Sequence, residues 1–278
     1  MWISCRIRSD SHTLSAEPLR LFQLEASNIR IHHIQEHDFF VSVRALNPDA
    51  PEPNQLHDGH RVISALIIAL NVGALGTFSW YRDPWVHPIL TVTDDFDGSN
   101  PHAGALVVES ETKYEVTQAL TDVDVENIAL VFGIVARERS TALTGEYSRG
   151  LLLLRMNFVD LNFRREAFMC FYRALEHFAS ARILKVQKLT NELKGLQNAL
   201  RHVTKDEELI AEVREIYRVR SSQVAHSQNE QREVTLDDVL KTKVLLDFFM
   251  HKTFKDEANR EMEKRVAEKS KKPPENQA

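Results

Sequence analysis

Residues 235–254 constrain the chain most. Leu236, Val239, Leu240, Val244, Leu245, Leu246, Phe248 and Phe249 spread apolar side chains over most of one helix's circumference. A helix of that kind has to be enclosed, inside a bundle or against a second subunit. Thr235, three residues ahead of Asp238, resembles a capping box with Asp in place of the usual Glu. Upstream, Phe168, Phe171, Tyr172, Leu175, Phe178 and Ile183 recur mostly at three and four residues, enough for a helix of about five turns. Leu184, Leu189, Leu193, Leu196 and Leu200 form a further stripe, and Thr204 and Asp206 suit the start of a third helix. Helices joined by short loops make a bundle, expected over 151–255. After Phe254 charge takes over, and Pro273 and Pro274 end any helix, so 256–278 reads as a charged tail, partly disordered.

The first 150 residues have another character. Trp2, Ile3 and Ile7, then Leu19 to Leu24, then Phe39 to Val43 read as strands. Asp58 can cap a helix running to about Val72. Ile89 to Val92, Val107–Val108 and Leu130 to Val135 read as further β-type runs, and Thr121 to Asn127 as the start of a short helix. The expected fold class is therefore an α+β domain over 1–150 followed by an all-α bundle.

Composition sets limits. A chain of 278 residues with 43% hydrophobic and 27% charged residues can bury a core in each half. A net charge of −5 leaves any nucleic-acid contact to a local patch. Cys5 and Cys170 form no pair in sequence, which points to a reducing, cytoplasmic setting. The longest apolar run, Val62 to Phe78, falls short of a membrane span, so no membrane partner is expected.

The chemistry concentrates at Ile216-Tyr217-Arg218-Val219-Arg220-Ser221-Ser222-Gln223-Val224-Ala225-His226-Ser227. Leu209, Val213, Ile216, Tyr217 and Val224 mark one helix face, and Arg220 falls on it. A guanidinium there must find an anion or several acceptors. It can grip phosphate oxygens, or hold a carboxylate from a neighbouring helix such as Glu166 or Glu176. His226 can move a proton near neutral pH, or cap terminal carbonyls.

This stretch resembles the signature of the HEPN superfamily, an Arg followed four to six residues later by a His, and is closest to the Apea-like branch. The flanking "RALEHFASARIL" and "LDDVLKTKVLLDFFMHKTF" also look like that family's helices, and the resemblance covers about residues 155–255. It implies an HEPN-like bundle with metal-independent endoribonuclease activity, of the kind that serves prokaryotic defence or stress response. The 2′-hydroxyl of RNA would attack the adjacent phosphate, with Arg220 on the phosphate and His226 transferring the proton. Ser221 departs from the Asn, Asp or His that many active members carry after the Arg. The alternative is a non-catalytic dimerisation or RNA-binding scaffold. On an ideal helix Arg220 and His226 lie some ~120° apart. They converge only if the helix ends near Val224 or if two subunits contribute, and the family's habit of pairing implies a homodimer. RNA is the expected partner, DNA is not, and no cofactor is expected.

Other patterns carry less. His57-Asp58-Gly59-His60 and His32-His33 with His37-Asp38 have ligand-type side chains but no third ligand at metal spacing, and a loop and a strand edge account for them. Asp94 to Gly98 lacks the glycine and the closing acid of a calcium loop and reads as a turn. Arg137, Arg139, Arg149 and Arg155 can form either a local basic surface or a solvated face.

Overall fold

A computed structural model of the chain describes residues 1–19, 28–45, 47, 49–80, 90–99, 101–105, 118–137, 141–155, 163–224 and 233–271. At its start, β1 (Trp2–Ser9) alternates Ile3, Cys5 and Ile7 toward the core with half-buried Trp2, Arg6 and Arg8 on the other side, the two-residue period of a strand. It pairs antiparallel with β4 (Asp38–Arg44), which pairs in turn with β3 (Ile29–His32). The opposite edge of β1 is shared by β5 (Phe78–Trp80) and β6 (Leu90–Thr93), and β6 carries β7 (Pro101–Ala105). A separate parallel pair joins β2 (His12–Thr13) to β8 (Gln118–Ala119).

The helix α1 (Glu52–Gly73) lies against this sheet and is buried without a break from Ile63 to Gly73. It begins six residues before Asp58, with Pro51 at the N-cap and Pro53 in the first turn. Proline fits there because the first N–H groups have no helical partner. Asp58 is therefore interior to the helix, and so are His57 and His60, which the sequence placed in a loop. Gly73 is a close-approach position: a Cβ there would lie 2.6 Å from the Ile128 backbone of the next helix.

That helix, α2 (Asp122–Val135), replaces the strand expected at Leu130 to Val135. Val125, Ile128, Val131 and Val135 are its buried stripe, and the reciprocal bonds of Thr121 and Asp124 cap it. The helix α3 (Thr141–Arg155) packs on α4 (Arg164–His177), which continues as a π-helical stretch Phe178–Leu184 ended by Lys185 in the left-handed conformation. Then come α5 (Glu192–Val203), α6 (Glu207–Val224) and α7 (Leu236–Lys271). The capping box expected at Thr235 is present: its hydroxyl accepts from the Asp238 N–H, and its own N–H donates to the Asp238 carboxylate.

The architecture is thus a small antiparallel sheet at the N-terminal end followed by helices. The division expected at 150/151 falls inside α3, because the apolar run at Leu151 to Leu154 completes a helix begun at Thr141. Among the described residues a single cluster of buried apolar side chains runs from Ile3 to Phe254. The charged tail expected from 256 is helical to Lys271, in keeping with the helix propensity of its Glu, Lys and Arg residues. Residues 16–19 are helical rather than strand. The remaining strand expectations, at Leu21 to Leu24 and Val107–Val108, lie outside the described residues.

Candidate functional site

The side chain of Asp206 starts α6 by accepting from the N–H groups of Glu208 and Leu209. Ile210, Val213, Ile216 and Val219 are the buried face of the helix. Arg220 follows at its margin. Its Nη2 donates to Glu192 Oε1 at 2.8 Å, and both side chains are 23% exposed. Glu192 is the first residue of α5, whose N-terminus is capped by Asn191. The Arg220 guanidinium also lies over the Tyr172 ring, 5.8 Å from its centroid. The carboxylate holding Arg220 is therefore neither Glu166 nor Glu176 but Glu192, supplied where α5 crosses α6.

Three elements thus converge on Arg220. Glu176 stands one turn beyond Tyr172 on α4. Burial and the nearby Glu192 push its carboxyl up, while Arg220 and Lys188 pull it back. Burial, and then the Glu192 charge, push the Tyr172 hydroxyl up as well. Among the described residues, Arg220 Nε, Glu192 Oε2 and the Tyr172 hydroxyl are buried with no hydrogen-bond partner. Chemically this is a cation held by one carboxylate beside a second. An incoming phosphate has to displace Glu192 before it can take both Nη groups.

His226 lies outside the described residues, as do Ala225 and Ser227. Ser222 donates its hydroxyl back to Val219 O, 2.7 Å away, within α6. Arg155 does not join a basic surface with the other arginines. Arg155 is buried, donates to Ser79 Oγ, pairs with Asp10, and is pushed down to about 10 by burial. Arg149 pairs with Glu146, Arg137 donates to Gly133 O, and Arg139 lies outside the described residues. Among the described residues no three His, Cys, Asp or Glu side chains converge as a metal site would require. None of their helices is long and apolar enough to cross a membrane.

The sequence reading missed a second polar cluster. Lys243 Nζ donates to Asp247 Oδ2 (2.5 Å) and to Gly76 O (2.7 Å), and the Tyr147 hydroxyl donates to Asp247 Oδ1 (2.5 Å). Lys243 and Asp247 are 1% and 2% exposed. The signal available was a Lys–Asp pair four residues apart on a helix apolar nearly all round, where such a pair has little water to face.

No family model, curated protein or solved structure matches this chain.

Proposed function

We propose that the helical half is an HEPN-like module acting as a non-catalytic scaffold that pairs two copies of the chain and holds RNA without cutting it. The Arg220–Glu192 ion pair supports this reading: the cation needed for the phosphate is already taken by a carboxylate of its own chain. Ser221 in the position after the arginine, and the acidic net charge, point the same way.

The endoribonuclease reading keeps two observations in its favour. Arg220 Nε has no partner among the described residues, and His226 follows two residues after α6 in sequence. With His226 as the proton-transfer group, release of Glu192 would give a metal-independent cleavage site.

One experiment separates the two. A mixed RNA is incubated in EDTA with wild type, Arg220→Ala, His226→Ala and Glu192→Gln, at matched folding and with oligomeric state followed by sedimentation. The scaffold predicts a wild-type dimer and no cleavage by any of the four. Cleavage that leaves cyclic-phosphate ends and is lost in both Arg220→Ala and His226→Ala would establish the nuclease instead. A monomeric wild type would sink the scaffold.

A further inference from the structure

The sheet gives one face to α1. Ile3, Cys5 and Ile7 of β1, with Phe39, Val41 and Val43 of β4, are buried there, and a Cβ at Gly59 of α1 would collide with Ile3. The alternate residues lie on the opposite face. Across the register Trp2 stands opposite Arg44, Ser4 opposite Ser42 and Arg6 opposite Phe40, and Phe40 in turn is opposite His32.

The turn after β6 lays Phe96 onto this opposite face, where the Ser42 hydroxyl donates to Phe96 O at 2.7 Å. The Phe96 ring stands edge-on to Trp2 (6.5 Å) and to His32 (6.2 Å), yet the residue stays 51% exposed. His32 stacks on Phe40 at 5.7 Å, and His33, held at φ 48°, sets its ring edge-on to both. Five rings thus form one ridge across three strands. The Arg6 guanidinium sits 5.7 Å from the Phe40 centroid, and the exposed Arg44 lies at the Trp2 end. Burial keeps His32 at about 4, so its ring is neutral at physiological pH.

Rings interleaved with guanidinium groups suit unpaired bases. Each base offers a π-face that stacks on an aromatic side chain, and a duplex hides those faces. We propose that this outer sheet face binds single-stranded RNA, with a base stacked on Phe96, neighbouring bases along the Trp2–Phe40 ridge, and Arg44 meeting the backbone. The choice of RNA rests on the function proposed above, while the surface itself does not involve Arg220. The charges are close to balanced. Asp38 pairs with Arg6, and in the turn Asp95 and Asp97 accept from Ser99. Stacking therefore carries the binding, and its salt dependence is shallow.

The test is fluorescence anisotropy of an end-labelled, non-self-complementary RNA strand in EDTA, beside the same strand annealed to its complement. The proteins are the full chain, Phe96→Ala, Phe96→Tyr and Arg220→Ala. The wild type is expected to prefer the single strand, Phe96→Ala to weaken it roughly 5- to 100-fold and Phe96→Tyr to retain it. Equal affinity for the duplex, no binding at any protein concentration reached, or wild-type affinity in Phe96→Ala would overturn the proposal. If Arg220→Ala loses binding while Phe96→Ala does not, the sheet surface is wrong and the RNA-binding bundle stands. If Phe96→Ala instead disperses a dimer in sedimentation, the face belongs to a second copy of the chain.

Discussion

His32 shows at the scale of one residue how the fold sets a charge. Burial first, and then His33, hold its ring at about 4, against a weaker opposite pull from Asp97. Burial also pushes His12 and His60 down. For a base whose folded value is depressed, the unfolded chain takes up the proton first. Stability from this source is present above about pH 6.5 and is lost as pH falls toward 4. Urea midpoints should therefore drop between pH 7 and pH 4.5, and the drop should be smaller in His32→Gln; equal slopes in the two proteins would place the cost on other groups. Arg220 was legible as a cation on an apolar stripe, because three- and four-residue spacing is written in the chain. Its partner was not. Which carboxylate meets it depends on where α5 crosses α6, and no periodicity encodes a crossing.

Element boundaries follow the same division. Thr235 with Asp238, and Asp206 ahead of Glu208, could be read as helix starts because capping is local chemistry within a few residues. Thr235→Ala should cost about 1 kcal/mol of unfolding free energy in urea titrations. A loss near zero would mean that the first turn of α7 is held by tertiary packing alone. Leu130 to Val135 was misread because a short apolar run with β-branched residues looks alike as strand and as buried helix. Only the stripe that includes Val125 and Ile128, together with the close contact at Gly73, makes it a helix. The start of α1 was misplaced for a related reason: Pro51 and Pro53 look like loop punctuation until the first turn of the helix is seen to use them.

For the whole molecule, Lys243 and Asp247 matter more than any surface pair. They tie α7 to Gly76 beside α1 and to Tyr147 on α3, so the two halves of the chain meet at a buried ionic contact, as they also do where Arg155 pairs with Asp10. Lys243→Ala leaves Asp247 buried without its cation and should cost about 3–5 kcal/mol. Tryptophan fluorescence reports the N-terminal half, where Trp2 and Trp80 lie, and far-UV circular dichroism reports mainly the helices. Their urea transitions should coincide in the wild type and shift together in Lys243→Ala. A variant that moves one probe alone would show two independently stable parts. The continuity of the core across residue 150 was not legible, since composition changes there while packing does not. The enclosure of α1 also fixes an order of events during synthesis. The apolar surface from Ile63 to Val72 is covered in part by α7, which donates His251 to Val72 O and follows α1 by more than a hundred and sixty residues. Until the ribosome has released residues 236–254, the part of that surface under α7 has no cover from its own chain, and transiently exposed apolar surface of this kind is what makes incomplete folds prone to aggregate.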